Sequence, residues 1–397
     1  MRNKAGPPVR REDFLKRRAD TEDLWDLAMS GHILMLGPRR MGKTSLLHHL
    51  EDAPEDGWRC VFLSVEALET EARFVARLLT KLAELHPNHA WMERLGGKLR
   101  KFFRSLGRTP VGPVEVNLAE LLEHNWRDEG AAALKVMGGL RGNTLVLVDE
   151  FPIFIRNLIG TEADAEGRRR ARLFLDWLRE IRNTQPNGDS RVHFVLTGSV
   201  GLDAVLSKVG LSGTVNDLQI FHLGPLTPDL AMDLLDQLSE GEQFPLPPAV
   251  RNRILERIDW PIPYHLQLLF RAIQHRVQRQ GKVLDEALVD QAYESLLAAE
   301  NQMLFSHWLE RLDDLLLKPQ ERDLQRALLR GAAKDRRGLS QNSILQINTK
   351  VAPDLNALVV LTSLARDGYL TQQDNRWRFN SSLLRDWWRK WQMGKMV

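Results

Sequence analysis

Short apolar runs alternate with amphipathic segments along the chain up to Pro225. The run Ile33–Leu36 ends at a Gly-Pro pair, which is typical of a buried strand that leads into a turn. Similar runs predict further strands at Cys60–Val65, Thr144–Val148, Val192–Leu196 and Leu218–Leu223. Between them, apolar residues recur at helical spacing, as in Ala72–Leu85 and Arg172–Arg182. This alternation predicts an α/β fold with a mostly parallel sheet covered on both faces.

Two stretches depart from the alternation. Residues 87–142 contain helical patterns around Trp91–Phe103 and Leu118–Met137, with a Gly- and Pro-rich interruption at Gly107–Pro113. We interpret these residues as a helical insertion packed on one edge of the sheet. The polar segment Gly160–Arg170 ends in three consecutive arginines and predicts an exposed, mobile loop.

The pattern is helical after Pro225. Amphipathic helices are predicted at Pro228–Ser239, Pro248–Ile258, Tyr264–Gln280 and Asp285–Gln302, and nearer the end of the chain at Gln320–Ala332, Ser340–Ile347 and Asp354–Asp367. Two strand-like segments follow, Tyr369–Thr371 and Arg376–Phe379, so the end of the chain predicts a winged helix-turn-helix. We expect three domains: residues 1–226 with the sheet, residues 227–305 as a helical lid, and residues 306–397 as the winged helix.

The segment after the first predicted strand, Gly-Pro-Arg-Arg-Met-Gly-Lys-Thr, matches the phosphate-binding P-loop pattern. Gly37 and Gly42 allow a tight turn whose backbone N–H groups form an anion nest, and the following helix adds its dipole. Lys43 is expected to reach the β and γ phosphates in binding and catalysis, and the Thr44 hydroxyl to bind Mg²⁺. The expected ligands are therefore ATP and Mg²⁺. The motif predicts these nucleotide-binding residues: Gly37, Pro38, Arg39, Arg40, Met41, Gly42, Lys43, Thr44 and Ser45.

A second motif, Asp149 and Glu150, directly follows the apolar run Leu145–Val148. The carboxyl end of a central parallel strand lies at the ligand crevice of an α/β sheet. We expect Asp149 to hold Mg²⁺, in part through water, and Glu150 to activate the attacking water as a general base. At the end of the next strand, Thr197 or Ser199 is suited to sense the γ-phosphate, and a hydroxyl there is equally suited to cap the following helix. These residues predict an ATPase.

The bulk composition limits the class of protein. Hydrophobic residues make up 43% and charged residues 27% of the chain, which is typical of folded globular proteins. No apolar run approaches the roughly 18 residues of a membrane helix. The single cysteine, Cys60, excludes an internal disulfide and fits a reducing compartment. We therefore expect a cytoplasmic protein without a membrane partner.

Charge is unevenly distributed. Residues 320–397 carry 14 Lys and Arg against 7 Asp and Glu, whereas the rest of the chain carries 41 against 45. This asymmetry fits an anionic partner or a solvated basic face. The predicted recognition helix Asp354–Asp367 offers few groups that read bases, chiefly Asn356 and Arg366. The cations lie elsewhere, at Lys334, Arg336, Arg337, Arg376, Arg378, Arg385, Arg389 and Lys390.

This distribution predicts that the winged helix docks on the ATPase core or on a protein partner, or binds nucleic acid through phosphate contacts alone. Three tryptophans of the last helix are expected to pack against the body of the protein: Trp387, Trp388 and Trp391.

With these elements in place, the sequence resembles the STAND class of signal-transducing P-loop ATPases. The nearest group is that of archaeal and bacterial ATPases with a C-terminal winged helix, which are related to origin-recognition initiators and AAA+ ATPases. The resemblance covers most of the chain through the segments Phe14–Leu24, Gly37–Thr44, Leu145–Pro152, Leu196–Ser199, Leu223–Thr227 and Pro261–Tyr264. It implies that Phe14–Leu24 binds the base and that Pro263 contacts the adenine, although Pro261 replaces the family's glycine.

The sequence departs from the family at one functional position. Relatives often carry an arginine shortly after the sensor strand, suited to contact the γ-phosphate, whereas Leu206–Leu218 contains Lys208 and no arginine. Either Arg191 or a residue from another subunit supplies this charge, or hydrolysis is slow. Self-association is therefore one expectation.

The motifs and the resemblance together imply a molecular switch. ATP bound between the sheet and the helical lid would hold the winged helix in one orientation toward a partner, and slow hydrolysis would release it. Family analogy suggests a setting in defence or stress response. Two alternatives stay open: an initiator-like ATPase that loads or remodels DNA complexes, and a scaffold that holds ATP without turnover.

Overall fold

The computed structural model describes residues 1–85, 89–105, 111–138, 142–160, 164–184, 191–198, 202, 205–206, 209–312 and 318–392. Contacts divide the chain into two units. The first, here called the sheet unit, comprises Arg18–Leu36 and Lys43–His222. The second, here called the helical unit, comprises Met1–Arg17, Gly37–Gly42 and Leu223–Val397.

One parallel sheet forms the centre of the sheet unit. Its strands are β1 (Ile33–Leu36), β2 (Trp58–Ser64), β3 (Asn143–Asp149), β4 (Val192–Thr197) and β5 (Gln219–His222), arranged in the order β2-β3-β4-β1-β5. All five predicted strands are present, with bounds that differ by at most two residues. In β3 and β4 the apolar side chains are buried apart from the half-buried Val192, as expected for central strands. The predicted α/β class is confirmed.

Eight described helices accompany the sheet: α1 (Arg18–Ser30), α2 (Lys43–Asp52), α3 (Glu71–Glu84), α4 (Gly97–Ser105), α5 (Val111–Leu122), α6 (Trp126–Gly138), α7 (Phe151–Ile159) and α8 (Ala165–Asn183). The predicted insertion is helical, but the main contacts of α5 and α6 are with helix α3. The expected packing on a sheet edge is therefore corrected to packing on a helix.

Helix α8 replaces most of the loop predicted at Gly160–Arg170. Asp164 caps the helix, because its carboxylate accepts a hydrogen bond from the Gly167 N–H at 2.7 Å. Arg170 is fixed by an ion pair with Glu71 at 2.7 Å. The loop prediction is thus wrong from Ala165 onward, because capping and ion pairs stabilise a first helical turn that has no apolar period. Residues 161–163 lie outside the described residues.

The helical unit contains the remaining regular elements. They are α9 (Pro228–Gly241), α10 (Pro248–Arg257), α11 (Pro263–Gln280), α12 (Glu286–Leu296), α13 (Ser306–Leu312), α14 (Pro319–Lys334), α15 (Gln341–Val351), α16 (Ala357–Arg366), β6 (Leu370–Gln373), β7 (Arg376–Phe379) and α17 (Ser382–Trp391). Strands β6 and β7 pair antiparallel. The elements from α14 to α17, here called the C-terminal module, follow the order predicted for a winged helix. None of the described helices is long and apolar enough to cross a membrane.

A single buried core runs through the helical unit, from α9 to α17. The ring of Phe305 stacks on Trp387 with centroids 5.2 Å apart, which joins the predicted lid to the last helix. Trp387 and Trp388 are buried, and the Trp391 Nε1–H donates to the Leu297 carbonyl at 2.9 Å. The tryptophans of the last helix serve packing, as predicted from their spacing.

The structure corrects the predicted recognition helix. Helix α16 begins at Ala357, so Asp354 precedes it instead of occupying its leading turn. The Asn356 side chain caps the helix by accepting from the Leu358 N–H at 2.9 Å. Since this amide is engaged in capping, Asn356 is a poor candidate for reading a base.

Candidate nucleotide site

The acidic side of the site lies at the carboxyl end of β3. The Thr44 hydroxyl, on the first turn of α2, donates to Asp149 Oδ2 at 2.7 Å. The Glu150 N–H donates to the other carboxylate oxygen, Oδ1, at 3.1 Å. The motifs around Thr44 and Asp149 are therefore in direct contact, although 105 residues separate them.

Asp149 is buried, and burial raises the pKa of its carboxyl group. The hydrogen bonds from the Thr44 hydroxyl and the Glu150 N–H and the charge of Lys43 oppose this rise in pKa, whereas the charge of Glu150 adds to it. A buried carboxylate under these influences would be stabilised by a divalent cation, which places positive charge beside it. The donor set of hydroxyl and carboxylate oxygens suits Mg²⁺, which also keeps waters and uses substrate phosphates as ligands. Within the described ranges, no group of three or more His, Cys, Asp and Glu forms a metal site of its own.

Glu150 has an unusual backbone conformation. Its φ of 58° lies in the left-handed region, which is uncommon for residues other than glycine and clusters at functional sites. A Cβ added to Gly198 would lie 3.4 Å from Glu150 Oε2 and 2.3 Å from Pro152 Cδ. The Glu150 carboxylate thus lies beside the end of β4, and only a glycine fits there.

Thr197 occupies the end of β4, as predicted. Its side chain is fully buried and its hydroxyl donates to the Met35 carbonyl of β1 at 3.0 Å. In this conformation the hydroxyl links two strands, so the predicted sensor role stays a prediction that requires a change of rotamer. Ser199 and Lys208 lie outside the described residues.

Arg191 was one predicted source of the missing cation. It lies at the amino end of β4, where its N–H donates to the Asn143 side chain at 3.0 Å and its guanidinium to the Met29 carbonyl at 3.3 Å. Arg191 directly precedes β4 and Thr197 ends it, so about 20 Å of extended chain separates the two residues. Arg191 is therefore excluded as the cation for phosphates bound at the carboxyl end.

The phosphate loop connects β1 to α2, and its residues Gly37–Gly42 pack within the helical unit. Gly37 passes so close to Leu223 that an added Cβ would lie 2.6 Å from the Leu223 carbonyl oxygen. Gly42 has a φ of 94°, as a tight turn requires. The buried Arg17 guanidinium donates to the carbonyls of Met41 at 3.3 Å and Gly224 at 3.0 Å.

Three consecutive loop residues contact four other segments of the helical unit. The Pro38 ring contacts the turn at Gly368, between α16 and β6. Arg39 forms a long ion pair of 3.8 Å with Glu310 of α13, whose side chain is 67% exposed. The Arg40 guanidinium donates to the Gly6 carbonyl and stacks on the ring of Tyr264, the second residue of α11. The sequence motif predicts that the backbone of this loop binds phosphate. It does not predict the partners of the loop side chains, because no pattern in the sequence marks them.

Pro263, the predicted adenine contact, is the first residue of α11 and is partly exposed. The Leu226 N–H donates to the Pro261 carbonyl at 2.9 Å, so the two motifs named in the resemblance meet in the helical unit. Both motifs thus lie near the loop through Gly224 and Tyr264. The adenine contact itself stays a prediction.

Comparisons with known proteins show the fold. A Walker-type ATPase of Pyrococcus abyssi superposes over 98% of this chain and 100% of its own, with a TM-score of 0.67 and 18% identity. The ORC2 protein of Aeropyrum pernix, solved in ADPNP–ADP complexes, superposes over 96% and 92%, with a TM-score of 0.50 and 12% identity. No protein-family model and no curated protein matches the chain. The fold is therefore that of P-loop ATPases.

Proposed function

We propose that this protein is a nucleotide-controlled switch that binds ATP with Mg²⁺ and hydrolyses it slowly. Lys43 binds the phosphates, and Thr44 and Asp149 hold the Mg²⁺, which neutralises phosphate charge. Glu150 accepts the proton of the attacking water, and the C-terminal module reports the nucleotide state to a partner. We also propose that the protein belongs to the STAND class of ATPases and acts in the cytoplasm.

The observation that carries the proposal is the contact between the phosphate loop and the C-terminal module. A Cβ added to Gly368 would lie 2.5 Å from Pro38 Cγ and 3.2 Å from Trp260 Cη2. Gly368 has a φ of 84°, which only glycine adopts without strain. A shift of the loop on nucleotide exchange therefore displaces this turn directly.

Such a contact is useful for switching only if the two nucleotides favour different arrangements. A ligand shifts a conformational equilibrium by its difference in affinity for the two states, and by nothing else. The γ-phosphate is the group that distinguishes ATP from ADP, and it binds at the loop that Pro38 belongs to. The coupling therefore predicts reciprocal effects between nucleotide affinity and the position of the module.

Gly368→Ala tests this coupling. Hydrogen exchange of β6 and β7 in the parent protein is expected to differ between the ADP complex and that of a non-hydrolysable ATP analogue. In Gly368→Ala the added methyl group pushes against Pro38, so this difference disappears and the ratio of ATP to ADP affinity changes by at least about fivefold.

Gly281→Ala is the matched control. Gly281 also has a positive φ, 64°, but an added Cβ there meets no described atom within 4 Å. Both variants carry the backbone strain of about 1–2 kcal/mol, and only Gly368→Ala carries the steric push. Identical exchange of the parent protein with either nucleotide would refute the switch.

A cationic ridge favours nucleic acid as a second class of partner. The Arg376 guanidinium donates to the carbonyls of Arg337 and Gly338, which places the loop after α14 beside β7. Arg336, Arg337 and Arg378 are exposed there. Helix α16 instead exposes apolar side chains, with Leu358 at 59% and Val359 at 65% exposure. This arrangement suits phosphate contacts and gives little base readout, and the apolar face suits a protein partner.

Two cations of the predicted phosphate surface have structural roles. Arg376 holds the ridge together, and Arg385 is buried beside Asp386 at 2.7 Å. These contacts remove Arg385 from the predicted phosphate-binding surface and make Arg376 unsuitable for a charge-removal test.

The double change Arg336→Ala with Arg378→Ala is expected to weaken binding to all DNA sequences alike. Each lost phosphate contact reduces the magnitude of the negative slope of log K against log salt by about 0.9, so the double change reduces it by about 2. Fluorescence anisotropy with unrelated duplexes over a salt series measures both quantities. The control change, Arg279→Ala with Lys282→Ala, removes the same charge from exposed positions at the end of α11. An equal loss in the control, or a sharp sequence consensus, would contradict phosphate binding by the ridge.

A further inference from the structure

Arg40 has a strained backbone in the middle of the phosphate loop. Its φ of 68° lies in the left-handed region, where residues with a side chain are uncommon. Such conformations persist when surrounding contacts determine them, and they cluster at functional sites. The Arg40 guanidinium makes two contacts of this kind, both with other segments of the helical unit.

The first partner is the Gly6 carbonyl, which accepts from Arg40 Nη1 at 2.7 Å. Gly6 itself has a φ of 118° and belongs to the segment Met1–Arg17, here called the N-terminal strap. The strap is fixed on both sides of this glycine. Asp13 pairs with Lys4 at 2.6 Å, and the Asn3 N–H donates to Glu242 of the loop after α9 at 2.8 Å.

The second partner is the ring of Tyr264, whose centroid lies 4.6 Å from the Arg40 guanidinium carbon. Tyr264 is buried in the first turn of α11, and its hydroxyl approaches the Leu304 carbonyl at 3.4 Å. A cation over a desolvated aromatic face is held more strongly than one over an exposed ring. Arg40 thus ties the phosphate loop to the strap and to helix α11 at once.

Because the Arg40 guanidinium is held by these two contacts, it is not directed at a bound phosphate. Its influence on a nucleotide then passes through the backbone, because Arg40 lies three residues before Lys43 in the loop whose N–H groups form the anion nest. A movement of the loop that turns these N–H groups away from the phosphates would weaken the bound nucleotide and speed its release. A loop anchored by its own side chain resists that movement.

We propose that Arg40, Gly6 and Tyr264 form a latch that holds the phosphate loop in its binding conformation and slows the release of nucleoside diphosphate. Arg40 is a positioning residue in this account. The proposal rests on nucleotide binding by the loop, as proposed above. The latch would set how long the nucleoside diphosphate stays bound, and this lifetime is the quantity that a switch must control.

Stopped-flow dissociation of a fluorescent N-methylanthraniloyl-ADP from the full chain tests the latch. Tyr264→Leu removes the aromatic face and is expected to raise the dissociation rate about 5- to 30-fold, the range expected when a partly buried cation–π contact is lost. Tyr264→Phe keeps the ring and should remain within about twofold of the parent protein. Arg40→Met keeps the length of the side chain without its charge and should match Tyr264→Leu.

The matched control is Arg257→Met. Arg257 also stacks on a tyrosine of the helical unit, Tyr293, with 3.9 Å between its guanidinium carbon and the ring centroid, and belongs to helix α10. A dissociation rate near that of the parent protein in this variant shows that loss of a cation–π contact alone does not speed release.

Three outcomes would overturn the latch. One is equal dissociation from Tyr264→Leu and Tyr264→Phe, and another is an equal acceleration in Arg257→Met. The third is a slower single-turnover hydrolysis in Arg40→Met with unchanged dissociation, which would place the guanidinium on the phosphates. If Tyr264→Leu does not fold, the dissociation rates of Arg40→Met and Arg257→Met are compared instead, and equal rates would overturn the latch. A parent protein that binds no nucleotide would refute the proposed function itself, which is a distinct result.

Discussion

Replacing Lys43 by alanine is expected to lower ATP affinity by at least about 100-fold, below what a binding titration detects. The ammonium group is the compact cation predicted to contact the β and γ phosphates, and charge-assisted hydrogen bonds contribute about 1.5–3 kcal/mol each. Lys43 is buried at the start of α2, so its removal takes a buried cation out of the protein and the fold should survive. Isothermal titration calorimetry measures the affinity, and thermal unfolding checks the fold.

Lys81→Ala serves as the control for this prediction. Lys81 lies on helix α3 of the same unit, where it pairs with Glu84 at 2.9 Å on an exposed surface. This variant should bind ATP as the parent protein does. A folded Lys43→Ala variant with parental affinity would show that the phosphates bind elsewhere.

Glu150→Gln is expected to leave ATP binding intact and to lower turnover by at least about 100-fold, the low end for general-base catalysis. The amide keeps the shape of the side chain beside Gly198 and cannot accept the proton of the attacking water. Phosphate release under saturating ATP measures turnover, and a fluorescent ATP analogue measures binding.

Asp149→Ala separates metal binding from base catalysis. Asp149 Oδ2 accepts from the Thr44 hydroxyl, so its loss is expected to weaken the Mg²⁺-dependent part of ATP affinity. Unchanged turnover in Glu150→Gln would assign the base to another residue. A parent protein that holds ATP without releasing phosphate would favour the scaffold alternative over the switch.

The candidate site shows which parts of the function depend on local sequence. The phosphate-loop motif and the acidic pair are predicted from the sequence alone, because strand, turn and helix must follow one another over a few residues to build an anion nest. The contact between Thr44 and Asp149 agrees with the prediction that both bind one Mg²⁺, since parallel strands bring their carboxyl ends to one edge. The alternative that Arg191 supplies the missing cation fails because Arg191 lies at the amino end of β4, and the length of this strand separates it from the carboxyl end.

Local sequence also misled at helix ends. The start of α8 has the polar pattern of a loop, since Asp164 and the ion pair of Arg170 replace the apolar period that identifies a helix. In the predicted recognition helix, Asn356 is one of the few side chains able to read a base, whereas the structure uses it as a cap. Polar side chains near helix ends satisfy backbone groups first, because unpaired N–H groups there are costly to leave.

The parallel sheet, the phosphate-loop motif and the acidic pair can be predicted from the amino-acid sequence, because each depends on short-range patterns of burial, turn formation and charge. The surroundings of the loop depend on tertiary contacts. Pro38 contacts Gly368 and Arg40 contacts Tyr264 across more than 200 residues of chain. Such pairs leave no period or spacing in the sequence, since they arise from how helices pack around a shared core. They are also the contacts on which the proposed switch and latch depend.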